Sequence, residues 1–265
     1  MKIGFIGMGN MGYALLKGML KSVSCTDLLF SCRTDEKKRR ITEETGVPAA
    51  ASNSELVSRS DYVILAIKPQ IYEEVLSEIR NSVRPGSVYI SLAPGKSISC
   101  IKEALGGQVK VVRAMPNTPA LIGCGMTGVA YDENELSAGQ IKVTETLFAS
   151  VGDFRKVDEA AMSAVVCASG SSPAYVYMFI DALASSAAAK GLPEDTAREL
   201  VCGAVIGAAK MVLETGEEPD ELKKKVCSKG GTTIAGIAQL DAKGFASAID
   251  AATDACYTRS EELAG

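Results

Sequence analysis

Three glycines, Gly7, Gly9 and Gly12, stand in the spacing G-x-G-x-x-G within MKIGFIGMGNMGYALLKGML, after a strand-like run and before a helical one. In that setting they suit one chemistry, the binding of a dinucleotide pyrophosphate. Gly7 makes the tight turn, Gly9 admits the pyrophosphate to the backbone, and Gly12 lets the helix pack on the strand. The helix N-terminus then faces the anion with free N–H groups and a favourable dipole. A fold that selects NAD places an Asp or Glu on the ribose about 20 residues further on. Here that place reads Ser31-Cys32-Arg33-Thr34, with Lys37 and Lys38 close behind. A guanidinium and a hydroxyl suit a 2′-phosphate, so NADPH is favoured and NADH is the alternative.

Those residues need a sheet to present them. Up to about residue 115, short apolar runs (KIGFIG, DLLFSC, DYVILAIKP, SVYISLAPG, VKVVRAMPNTP) alternate with amphipathic segments. That is the pattern of a parallel sheet with crossover helices. GMTGVAY and DFRKV read as two further strands flanking a helix at about 135–150. The carboxyl ends of the strands line the crevice of such a fold. They carry Ala66-Ile67-Lys68-Pro69, Leu92-Ala93-Pro94-Gly95 and Met115-Pro116-Asn117-Thr118-Pro119. From about residue 159 the alternation stops. EDTARELVCGAVIGAAKMVLET repeats apolar residues at helical spacing, with Pro193 at its start and Gly216 after its end. The expected fold is α/β, a Rossmann-type doubly wound sheet over 1–158, followed by an all-helical domain over 159–265.

Composition narrows the function. There is no histidine, which excludes Cys/His zinc sites and a proton-donating histidine of the lactate type. No metal site is expected. The eight cysteines are scattered without a C-x-x-C pair and read as small buried hydrophobes in a reducing cytoplasm. A net charge of −4 argues against nucleic-acid binding. The first residues lack the regions of a signal peptide. Ala174 to Ala189 is short for a membrane span and carries Asp181, so it reads as a buried helix.

GFIGMGNMG, AIKPQ, APG, RAMPNTPALIGCG, SGSSPAYVYMFIDAL and SKGGTTIAGI, in that order, resemble the pyrroline-5-carboxylate reductase family over essentially the whole chain. The resemblance implies reduction of 1-pyrroline-5-carboxylate to L-proline with NAD(P)H, in the last step of proline synthesis. It implies a helical domain that intertwines as a homodimer, often assembled further into a decamer. The family's cofactor contacts fall on Ile6, Gly7, Met8, Gly9, Asn10, Met11, Arg33, Asn53, Ala66, Ile67, Lys68, Pro69, Leu92, Ala93 and Pro94; Thr34 and Asn117 join them as candidates. Its substrate loop falls on Gly230, Gly231, Thr232 and Thr233. Two positions depart from the family pattern, Lys229 for proline and Ser172 for glycine.

The chemistry suits these residues. Relatives acting on 3-hydroxy acids use a lysine on the long helix after the sheet domain, and Ser171 to Lys190 has none before its end. A cyclic imine needs no such acid, because protonation on nitrogen gives an iminium that accepts hydride. The GGTT amides at a helix start suit the substrate carboxylate. Thr233 is the catalytic candidate, its hydroxyl bonding the ring nitrogen. The rivals are another imine or hydroxy-acid reductase, and a non-catalytic NADP sensor; for the loop itself, the alternative is an N-cap threonine.

Overall fold

The computed structural model describes residues 1–263. Seven strands form one sheet: β1 (Ile3–Ile6), β2 (Leu28–Ser31), β3 (Tyr62–Leu65), β4 (Val88–Ser91), β5 (Lys110–Met115), β6 (Gly125–Ala130) and β7 (Gly152–Lys156). Six helices accompany them: α1 (Asn10–Met19), α2 (Asp35–Thr45), α3 (Asn53–Arg59), α4 (Tyr72–Ile79), α5 (Ile98–Ala104) and α6 (Ala138–Ala149). The order is β2-β1-β3-β4-β5-β6-β7. The first four strands bury every residue, as strands covered on both faces must. Alternate residues feed two cores. Ile64 and Phe30 join Leu15, Ile41 and Phe148 on one face, which seats α1, α2 and α6. Val63, Leu65 and Leu29 join Leu56, Leu76 and Ile101 on the other, which seats α3, α4 and α5. The sheet is doubly wound.

Two features differ from the sequence reading. β6 runs antiparallel to β5, so the sheet is mixed. A parallel return needs a crossover of a dozen or more residues, and 116–124 holds only the 3₁₀ turn Thr118–Ile122. The second is α3, which no apolar run of the sequence announces. Its signal was the S-x-x-E of Ser52 and Glu55: Glu55 N donates to Ser52 Oγ (3.1 Å) and Ala51 N to Glu55 Oε2 (2.7 Å).

The helices that follow are α7 (Met162–Val165), α8 (Ser172–Ala188), α9 (Glu194–Thr215), α10 (Pro219–Val226), α11 (Thr232–Ala242) and α12 (Phe245–Glu262), with a π turn over Val166–Ser171 between α7 and α8. Two compact units emerge: Met1–Ser171 with the chain from Cys256 on, and Ser172–Ala255. The helical residues just after 159 therefore pack with the sheet. Val165 lies over Gly128 of β6, where an added Cβ would come within 2.5 Å. Residues 159–265 remain the proposed dimerisation and substrate module; Ala264 and Gly265 at its end lie outside the described residues.

The helical unit is nearly all exposed. Its buried cluster is Ala184, Ala197 and Val201. α8, expected to be buried, instead exposes Val176, Tyr177, Met178, Phe179 and Leu183. One chain does not cover its apolar faces. The cysteines differ too: Cys167 is buried, Cys100 and Cys124 are exposed, and the rest are half-buried.

Candidate active site

β1 lies between β2 and β3, so the first crossover runs one way and the second the other. Doubly wound sheets hold their ligand crevice at such a reversal. The glycine turn fills its floor. Gly7 has φ +93°, and a Cβ there would stand 2.5 Å from the Ala66 carbonyl oxygen. A Cβ on Gly12 would stand 2.3 Å from the Gly7 carbonyl oxygen. Both positions exclude side chains because β1, α1 and the end of β3 are pressed together. Gly9 differs: it is the N-cap of α1 without a side-chain cap, and an added Cβ would meet nothing within 4 Å. Open space before uncapped helix amides fits a pyrophosphate. Ile6 and Met8 are buried beneath, Met11 packs on the core, and Asn10 is exposed.

At the end of β2, Ser31 is buried and accepts the Gly7 N–H at its carbonyl (3.0 Å). Ser31 Oγ donates to Asn53 Oδ1 (2.6 Å), and Asn53 Nδ2 donates to Glu78 Oε2 (2.7 Å). Asn53 opens α3, and Ser54 Oγ beside it donates to the Glu78 carbonyl (3.1 Å). Arg33 is exposed, and neither it nor Lys37 forms an ion pair among the described residues. Lys38 is tied back to Asp35 and to the Ala51 carbonyl. Thr34 caps α2, its hydroxyl oxygen accepting the Lys37 N–H (3.4 Å), which leaves its proton free to donate. Burial pushes the Cys32 thiol up from its ordinary pKa.

The ends of β3 and β4 are held by a directed chain of hydrogen bonds. Ala93 N–H reaches Ser91 Oγ (3.4 Å), Ser91 Oγ lies 2.8 Å from Tyr72 Oη, and Tyr72 Oη donates to the Leu65 carbonyl (3.1 Å). Burial raises the Tyr72 pKa far above its ordinary value, so the phenol keeps the proton this chain needs. The bonds tie Ala93, in the middle of Leu92-Ala93-Pro94, to the last residue of β3, just before Ala66 and Ile67. Lys68 is exposed just before Pro69, which opens a 3₁₀ turn. Nothing in the sequence marked Tyr72, Ser91 or Glu78, because their partners are distant along the chain.

Asn117 is placed differently. Its Nδ2 donates to the Ser169 carbonyl (3.1 Å) and its Oδ1 accepts the Met126 N–H (3.0 Å). The side chain thus clasps the loop after β5 to β6 and to the π turn. The neighbouring Arg113 pairs with Glu159 (3.0 Å), whose Oε1 also takes the Ile98 N–H (2.7 Å) at the start of α5.

In the helical unit, Gly231 is the N-cap of α11, and no side chain caps that end. Gly230 has φ +73°, and a Cβ on Gly231 would stand 2.4 Å from Ser228 Oγ. Thr232 and Thr233 are the first two helical residues, so neither is the capping threonine that the alternative reading required. Their amides start an uncapped helix, as at Gly9. Lys229 is exposed, and Ser172 opens α8. No lysine lies on α8.

The family model described as pyrroline-5-carboxylate reductase dimerisation matches residues 159–263, and one described as NADP oxidoreductase, coenzyme F420-dependent, matches 2–95. A pyrroline-5-carboxylate reductase of Escherichia coli is 41% identical over 264 residues, 99% of this chain and 98% of its own. The crystal structure of a Plasmodium falciparum pyrroline carboxylate reductase with NADP bound has a TM-score of 0.90 at 28% identity, covering 100% of this chain and 98% of that one. A pyrroline-5-carboxylate reductase from Coxiella burnetii has a TM-score of 0.90 at 31% identity, with the same coverage.

Proposed function

The chain belongs to the pyrroline-5-carboxylate reductase family, and from that premise we propose how its residues divide the reduction of 1-pyrroline-5-carboxylate to L-proline. A bound NAD(P)H supplies the hydride. With that hydride on the imine carbon and a proton from water kept on the ring nitrogen, the C=N bond would become the C–N single bond of L-proline. The iminium is already electrophilic, so the residues need only hold and orient it.

The observation that carries the reading is a pair of glycine-capped helix starts without side-chain caps, α1 behind Gly9 and α11 behind Gly231. A pyrophosphate suits the first. Ile6 to Met11, Ala66 to Pro69 and Leu92 to Pro94 make its cofactor crevice. A small carboxylate suits the second, with Gly230, Gly231 and Thr232 giving backbone donors. Thr233 carries the remaining polar group, a hydroxyl that bonds the ring nitrogen and sets the face presented to hydride.

Arg33, with the Thr34 hydroxyl and the unpaired Lys37, favours a 2′-phosphate, so NADPH is the working cofactor and NADH a poorer substitute. Asn117 acts from behind, holding the loop after β5. The enzyme works as a homodimer closed over its helical unit, and the decamer is the further assembly proposed. Eight free cysteines suit a reducing cytoplasm.

The test is direct. Adding 1-pyrroline-5-carboxylate to the full chain with NADPH should oxidise the cofactor and yield L-proline in equal amount. NADPH that stays reduced with this imine, yet is consumed with a 3-hydroxy acid's keto form, would overturn the assignment.

A further inference from the structure

We propose that Glu78 is a positioning residue for cofactor choice, acting through Asn53. The inference rests on the reading of Arg33 and the end of β2 as the 2′-phosphate site. A primary amide has one acceptor oxygen and two N–H donors, and the two ends are nearly alike in shape. What faces each end decides which way it points. Glu78 is a carboxylate and can only accept, so it takes Nδ2 of Asn53 at 2.7 Å. The oxygen is thereby turned to Ser31, whose hydroxyl donates to it at 2.6 Å. Ser31 spends its one proton on that bond. The group left over on Asn53 is the second N–H of Nδ2, a donor.

A donor on Asn53 matters because its bond to Ser31 holds the amide beside the end of β2, where the proposed 2′-phosphate site lies and the two cofactors differ. A 2′-phosphate only accepts, whereas a 2′-hydroxyl can donate or accept. With Glu78 in place, Asn53 can meet the phosphate. With its amide reversed, it would offer an oxygen, which a phosphate rejects and a hydroxyl tolerates. Glu78 is exposed on α4, and its backbone is held to α3 by the Ser54 bond whatever its side chain. The carboxylate is therefore free to be changed without unseating the pair of helices. Its charge works against it, since an anion near the site repels phosphate. That conflict gives the test opposite signs.

Glu78→Lys puts an obligate donor at the position and turns the Asn53 oxygen toward it, while adding a positive charge. If orientation governs, NADPH dissociation constants measured calorimetrically should rise about tenfold, with NADH changed by no more than about threefold. Glu78→Ala, which frees the amide without reversing it, should fall between. Selectivity for NADPH that is unchanged or rises in Glu78→Lys means charge decides, and overturns the proposal. An equal loss with both cofactors assigns Glu78 a purely structural role and overturns it too. A wild type that binds both cofactors equally removes the 2′-phosphate reading, and this inference with it; that outcome is distinct, because it appears before any substitution is made.

Discussion

The sheet unit and the helical unit are built from similarly apolar sequence and end with opposite surfaces. In the first, Phe5, Phe30, Leu15, Tyr89 and Phe148 are fully buried, and the helices on both faces complete the core within one chain. In the second, α8 and α9 bury Ala184, Ala197 and Val201, while Met178 is 72% and Leu213 80% exposed. The run Glu159–Ala188 is even long and apolar enough, by length and composition, to cross a membrane. A helix that is apolar all round must be covered by something. These residues lie within the match to the family's dimerisation model, and the homodimer that match implies supplies the kind of surface they need. The difference teaches that an apolar helix in an isolated chain is not a packing error. In a homodimer it is the half of a core that a second copy completes.

The strongest way to break that comparison is to charge the uncovered face. Met178→Asp with Phe179→Asp should convert the dimer to monomer in sedimentation and abolish turnover, while NADPH binding to the sheet unit stays within about threefold. Loss of cofactor binding as well would show that the sheet unit is not self-sufficient. In the sheet, Phe30→Ala should cost about 3–5 kcal/mol, and by the same amount at every protein concentration. The helical unfolding transition should instead move to higher temperature as the protein is concentrated. Calorimetry over a hundredfold dilution separates the two, and a concentration-dependent Phe30→Ala penalty would erase the contrast.

The next effects belong to the sites. Arg33→Ala should weaken NADPH by roughly 1.5–3 kcal/mol, the worth of a charge-assisted hydrogen bond, and leave NADH nearly unchanged. Equal losses would show that Arg33 does not read the 2′-phosphate. Thr233→Ala, in the helical unit, should lower turnover about 5–150-fold, the cost of one lost orienting bond at roughly 1–3 kcal/mol. General acid catalysis is worth about 10²–10⁴-fold, so the ranges overlap and the pH profile decides. An orienting role predicts the same proportional loss at every pH, with the limb set by substrate protonation unmoved. A deficit that vanishes at low pH would put Thr233 on the proton path.

Much of this was legible locally. A turn that needs φ +93° calls for glycine at Gly7, and a helix from Glu194 to Thr215 announces itself through Pro193, its repeat and Gly216. The positions of most strands along the chain, the ends of that helix and the glycine turn depend on neighbours a few residues apart, or on runs that one window contains. The uncapped start at Gly231 was foreshadowed by GGTT in the same way. What the tertiary structure alone decided are matters of distant partners. Residue types show that Asn53 and Asn117 can each make several hydrogen bonds. Only the fold shows Asn53 bonded to Ser31 and Glu78, and Asn117 spent on Met126 and Ser169. The antiparallel β6 and the bared face of α8 belong with them. A hydrophobic pattern states that a face must be buried; which surface buries it is set by long-range packing, and one chain leaves that of α8 bare.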